Sequence, residues 1–128
     1  MAVKKSTTTT TTVTTVPDFT ILINCMKPCT PCDALVKNAL GTKFKTWAKD
    51  NGYTVVYNDN NSKMLAYWKT YGKPAKINQT TPQLYIIKAN QECKGIFLDA
   101  GVKINDYEVP TYDKWNAAMM IEICKIFI

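Results

Sequence analysis

INCMKPCTPCDALVKNAL, residues 23–40, sets three cysteines within eight positions and then begins an amphipathic pattern. Just before the cysteines, FTILINC (residues 19–25) is a near-continuous apolar run of strand length, the composition of a strand buried on both faces. After them, a helical pattern runs over residues 32–50, with Val36, Leu40, Phe44 and Trp47 spaced three and four apart on one face. Gly41 interrupts this pattern at a cost of about 1 kcal/mol relative to Ala and is expected to mark close packing. DNG (residues 50–52) stops the helix, and YTVVY (residues 53–57), rich in β-branched and aromatic residues, supplies a second strand. Strand, helix and strand in this order make a βαβ unit, whose two strands are parallel and whose crossover is right-handed.

Working outward, Asn60 or Asn61 is placed to cap another helix carrying Met64, Leu65, Trp68 and Tyr71, ended by Gly72 and Pro74. QLYIIK (residues 83–88) reads as a third strand, and GIFLDA (residues 95–100), across a turn at 90–92, as its hairpin partner. A loop crosses Pro110, and Thr111 is expected to cap a last helix bearing Trp115, Ala118, Met119, Ile123 and Ile126. The order β-α-β-α-β-β-α predicts an α/β fold, a mixed four-stranded sheet with helices on both faces. Residues 1–17 form a Thr-rich arm and residues 18–128 the domain. The arm is either a flexible tail or a segment that orders against a partner. MMIEICKIFI (residues 119–128) is apolar for a chain end, as a buried helix or a partner surface would be.

A chain of 128 residues fits one domain with a core of its own, and 46% apolar with 20% charged residues is a globular composition. The net charge is +6, carried by lysine alone, since the chain has neither arginine nor histidine. Without arginine there is no bidentate fork for phosphate or guanine edges, and the lysines are scattered, so nucleic acid is not an expected partner. Without histidine there is no imidazole base, no Cys–His pair and no mixed Cys/His zinc site. Lys for Arg, with many Asn and Ile, suggests an AT-rich genome. No apolar leader follows Lys4 and Lys5 and no run is long enough to span a bilayer, so a cytoplasmic setting without membrane is expected (host cytoplasm or virion for a viral protein). There, paired thiols are more often catalytic or metal-binding than structural. The five cysteines, an odd number, cannot all pair within one chain.

Cys29-Thr30-Pro31-Cys32 is a CxxC between a buried strand and a helix start. A helix N-terminus directs unpaired N–H groups and partial positive charge at Cys29, favouring thiolate, and Lys27 is near enough in sequence to add to this. Cys29 is therefore the expected nucleophile and Cys32, one turn on, the resolving thiol. Pro31 suits the first helical position. Cys25 is expected to point away from the pair. Other readings of the same cysteines are an iron–sulfur spacing (CxxxCxxC), a zinc site completed by Cys93 or Cys124, and inert core filling. No metal and no bound cofactor are assigned. Cys93 reads as a turn thiol and Cys124 as a helix-face thiol.

With CTPC after the first strand, TTPQLYI about fifty residues later and this element order, residues 18–126 resemble the thioredoxin superfamily, in its thioredoxin and glutaredoxin region. The resemblance implies a thioredoxin-like fold and a thiol–disulfide oxidoreductase. It makes Thr81-Pro82 a cis-proline motif facing the cysteines, with Thr81 offering its backbone to extended substrates. Cys29 and Cys32 are then catalytic, and Lys27, Thr81 and Pro82 substrate-binding. The implied partner is a protein or small-molecule disulfide, and the implied electron source glutathione or a thioredoxin-reductase-type donor. The chain departs from the pattern at Pro28, where thioredoxins carry Trp, and at Thr30 and Pro31, where glutaredoxins carry a tyrosine. A buried acidic proton carrier has no clear counterpart. AGVKINDYEVPTY replaces the glutaredoxin stretch that holds glutathione, so redox chemistry carries over and glutathione specificity does not. The alternative is a structural or assembly protein, such as a viral particle component, that reuses the fold and contacts neighbours through its arm and apolar end.

Overall fold

The structure, a computed structural model, describes residues 14–128; most of the Thr-rich arm, residues 1–13, lies outside the described residues. The sheet is built from β1 (Thr20–Asn24), β2 (Thr54–Asn58), β3 (Gln83–Ile87) and β4 (Cys93–Phe97), in the order β2-β1-β3-β4. β1 and β2 are parallel, with Thr20 opposite Thr54 and Asn24 opposite Asn58. β1 pairs antiparallel with β3, and β3 with β4, so the sheet is mixed and the 83–97 segment is the expected hairpin. Every residue of β1 and β3 is buried, which is why both read as continuous apolar runs rather than alternating ones.

Helices cover both faces. α1 (Thr30–Asn38), α2 (Thr42–Asp50) and α4 (Ala117–Phe127) close over Ile21, Ile23, Leu84 and Ile86. α3 (Asn61–Tyr67) and the π-helical turn Trp68–Gly72 that continues it bring Tyr67 and Tyr71 onto Leu22, Tyr85 and Ile87. Each fully buried Leu or Ile contributes about 1.5–3 kcal/mol, and the two central strands place seven such aliphatic or aromatic side chains at 0% exposure. Among the described residues, no helix is long and apolar enough to cross a membrane.

Several elements differ from expectation. The single helix over residues 32–50 is two, broken at Ala39–Gly41, with Gly41 in extended conformation as the N-cap of α2. Gly41 does not mark close packing, for a Cβ there would meet nothing within 4 Å; its low helix propensity serves the break. The break resets the buried face: Leu35, Ala39, Leu40, Phe44 and Ala48 point inward, while Val36 is 44% exposed. The π-turn does the same for α3, burying Met64, Tyr67 and Tyr71 and leaving Leu65 on the surface. β4 starts at Cys93, so Cys93 is a strand thiol. The turn before it holds Asn90 and Gln91 at positive φ, their N–H groups donating to the Asp18 carboxylate at 2.9 and 3.1 Å.

The expected loop through Pro110 contains a small hairpin, β5 (Lys103–Ile104) with β6 (Tyr107–Glu108). Thr111 leads only into a short 3-10 turn (Tyr112–Lys114), and α4 is capped by Asn116, whose side chain accepts the Met119 N–H at 2.9 Å. Trp115 lies before that helix, buried, its indole N–H donating to the Pro110 carbonyl at 2.8 Å. α4 buries Met119, Met120, Ile123 and Cys124 and leaves Ala118 exposed, and the helix continues to Phe127. At the other end, Val16 is buried: its N–H donates to the Tyr71 hydroxyl at 3.0 Å and its carbonyl accepts from Gln91.

Candidate active site

Cys29 occupies the N-cap of α1 with extended backbone (φ −154°, ψ 102°), and its sulfur accepts the Cys32 N–H at 3.2 Å. A sulfur there does what a capping serine oxygen does, satisfying one of the four free N–H groups of the first turn. Thr30 and Pro31 open the helix, where Pro31, at its second residue, has no intrahelical donor to lose. Cys32 is 1% exposed and packs on the α1-side core, whereas Cys29 is half-buried at the rim. The two are joined as a disulfide across a Cα–Cα distance of 5.2 Å. The helix start thus sets one sulfur outward and the other inward.

The segment before β3 meets this pair from the sheet side. The Thr81–Pro82 peptide is cis, Thr81 is buried, and its hydroxyl donates to the Cys29 sulfur at 3.4 Å. Cys29, Cys32, Thr81 and Pro82, separated by about fifty residues in the chain, are therefore brought to one end of the sheet. Pro82 is tied to the strand beyond: its carbonyl accepts the Leu98 N–H at 2.9 Å. Among the described residues, the Thr81 N–H and C=O make no backbone hydrogen bond.

Lys27 precedes a second cis bond, to Pro28. Its backbone is clamped by Asn61, which accepts the Lys27 N–H at 2.8 Å and donates to its carbonyl at 2.9 Å. Its ammonium pairs with Asp59 at 3.2 Å, with 70% of the Lys27 side chain exposed. Such a surface pair is worth only about 0.2–1 kcal/mol, but it occupies the lysine nearest the CxxC in sequence.

Cys25 does not point away from the pair. Side chains alternate along β1, so Ile21, Ile23 and Cys25 share one side, and that is the side α1 covers. Cys25 joins the same apolar cluster as Cys32, and burial pushes its thiol up to about 12. Burial likewise pushes Cys93 up to about 11 and Cys124 up to about 12. These three thiols stay protonated at neutral pH and are poor nucleophiles. Among the described residues, no three Cys, Asp or Glu side chains gather as a metal-binding group.

Beneath the Thr81 segment lies an amide network that single-residue patterns did not reveal. Asn58 donates to Asn24 (3.0 Å), and Asn24 donates both to the Met64 carbonyl (3.0 Å) and to the Gln83 side-chain oxygen (2.9 Å). The Tyr85 hydroxyl donates to that same Gln83 oxygen at 2.7 Å. The Gln83 amide in turn donates to the Asn78 and Thr80 carbonyls at 3.1 and 3.3 Å. Three amides, one from each of three adjacent strands, are thereby linked, and Asn24 together with Tyr85 fixes Gln83, which holds the loop that delivers Thr81. The available signal was a polar residue within an apolar run, Asn24 in one strand and Gln83 in another. The groove beside Cys29 was also not anticipated: about 380 Å³, walled by Met26, Pro28, Pro31 and Phe97, with Thr81 and Asp99 along it.

Comparison with protein families, with curated proteins and with solved structures gives no match to this chain.

Proposed function

We propose that this chain is a thiol–disulfide oxidoreductase of the thioredoxin and glutaredoxin type, working through Cys29 and Cys32 on a thioredoxin-like fold. The observation that carries the proposal is the rim sulfur of Cys29: it caps α1, is bonded to buried Cys32 and receives the Thr81 hydroxyl beside a cis-proline. The mixed four-stranded sheet, with a parallel first pair and a hairpin after it, supports the fold assignment, because it agrees with the element order that carries the resemblance. In the reduced chain, the Cys32 N–H and the Thr81 hydroxyl favour a thiolate on Cys29, as hydrogen bonds to the charged form do.

Cys29 thiolate attacks one sulfur of a substrate disulfide, forming a mixed disulfide and releasing the other sulfur as thiolate. Cys32 thiolate then displaces the bound substrate sulfur, leaving the Cys29–Cys32 disulfide. Two electrons pass to the substrate, and an external dithiol restores the reduced pair. Thr81 and Pro82 shape the face on which the substrate segment lies, with the unpartnered Thr81 backbone available to it. The setting proposed is the cytoplasm. The assembly-protein alternative rests on the arm, residues 1–13 of which lie outside the described residues, and on the apolar C-terminal segment, whose Met119, Met120, Ile123 and Cys124 are buried in the core, and no observation favours it.

The test is reduction of a protein disulfide with dithiothreitol as donor, comparing the natural chain with Cys29→Ser. Turnover above the dithiothreitol background that vanishes in the variant is expected. Equal background rates in both would exclude the assignment.

A further inference from the structure

Resting on the oxidoreductase reading, we infer that the groove beside Cys29 selects its disulfide through apolar contact and one negative charge. The substrate class it fits is an extended polypeptide with apolar side chains flanking its cysteine and a lysine or arginine placed to reach Asp99.

The groove, about 380 Å³, is within the size range of pockets that take ligand groups. Met26, Pro28, Pro31 and Phe97 give it apolar walls, and Asp99 is the one charged residue lining it. Asp99 is exposed; one carboxylate oxygen accepts the Ala100 N–H at 2.9 Å, and among the described residues the carboxylate makes no ion pair. Lys27, the nearest lysine in sequence, is already paired with Asp59. Glutathione brings two carboxylates against one ammonium, a net negative charge, and this lining offers its carboxylates no cation. An ammonium or guanidinium meets the opposite circumstance. The molecule as a whole carries +6 and attracts anions at long range. A preference for a cationic substrate therefore opposes the mean field and has to arise locally.

The test uses pre-reduced full-length protein in single turnover. Its probes are short peptides with Leu and Phe beside a cysteine disulfide-linked to thionitrobenzoate, and lysine or glutamate at each of the two positions on either side. Release of thionitrobenzoate is followed, and each rate is divided by that of dithiothreitol with the same peptide to remove intrinsic reactivity. At one or more positions the lysine peptide should react about 3-fold faster than its glutamate twin, the scale of one exposed ion pair. Oxidised glutathione, run separately and followed by thiol release, should be slower than either. Asp99→Asn keeps an acceptor for the Ala100 N–H and should bring the ratio near one, and Asp99→Lys should invert it. A natural-chain ratio of one or less at every position, or a ratio unchanged in Asp99→Asn, overturns the specificity inference alone. Rates for all peptides no faster than those of Cys29→Ser overturn the oxidoreductase reading and this inference together.

Discussion

Thr81 and Cys29 lie 52 positions apart in sequence, yet the threonine hydroxyl points at the cysteine sulfur from 3.4 Å. Valine has nearly the outline of threonine and cannot donate. Thr81→Val should therefore leave the backbone in place and withdraw one of the two hydrogen bonds that the proposed mechanism assigns to a Cys29 thiolate. A hydrogen bond of about 0.5–1.5 kcal/mol corresponds to roughly a two- to tenfold slower alkylation of the reduced protein at neutral pH, with the alkylation midpoint moved to higher pH. Iodoacetamide kinetics across pH check this, and an unchanged profile would mean the hydroxyl does not act on the sulfur. The other cysteines do not confuse the reading, because burial raises all three and keeps them unreactive under the same conditions.

At the level of elements, the sheet end near the cysteines is organised by amides. Gln83 opens β3 fully buried, and its side chain is satisfied on both sides, by Asn24 and Tyr85 as donors and by the Asn78 and Thr80 carbonyls as acceptors. A buried network of this kind is sound only when complete. Replacing Gln83 with leucine would strand the buried Tyr85 hydroxyl and part of the buried Asn24 amide, and would release the Asn78 and Thr80 carbonyls. With about 1–3 kcal/mol for each buried group left unpaired, Gln83→Leu should lower stability by about 3 kcal/mol or more. It should also loosen the approach of Thr81 to Cys29. Urea unfolding measures the first effect and the alkylation profile the second. A stability change under about 1 kcal/mol would show that the network relaxes around the substitution. Tyr85 links this network to the opposite layer, its ring lying so close to Gly95 that a Cβ there would stand 2.6 Å from a ring carbon. The glycine in β4 is thus required by packing, a reason its place in GIFLDA did not disclose.

For the molecule as a whole, two fully buried thiols couple stability to alkaline pH. Cys25 and Cys124 are both raised, so folding favours their protonated form. Their stabilising contribution is complete below the ordinary thiol value of about 8.5 and is lost as pH rises toward about 12, because the unfolded chain releases those protons first. Unfolding midpoints in urea should fall between pH 8 and pH 10.5, and the Cys25→Ala/Cys124→Ala double variant should show a shallower fall. Equal slopes would mean that the tyrosines and lysines account for the whole dependence. At acid pH the sign is opposite for Asp18, whose carboxyl is held below the ordinary aspartate value by the Gln91 side chain and the backbone N–H groups of Asn90 and Gln91. What it contributes to the turn before β4 is present above that ordinary value and lost as pH falls through the lowered one.

The sequence by itself determined the mixed four-stranded sheet, its parallel pair and hairpin, the helices on both faces and the location of the cysteines at a helix start. Each of these follows from local spacing: continuous apolar runs, three- and four-residue stripes, and a polar cap before a helix. Helix limits were less legible because a break at Gly41 and a π-turn at Trp68–Gly72 shift which side chains face inward, and both respond to the surface the helix must cover. Only the tertiary structure decided that Cys25 shares the cluster of Cys32, that the Thr81 hydroxyl donates to the Cys29 sulfur, that Gln83 braces the loop before it, and that Asp99 edges the groove. Those are contacts between residues distant in the chain, and a one-dimensional pattern carries no term for what another segment brings to the same point in space.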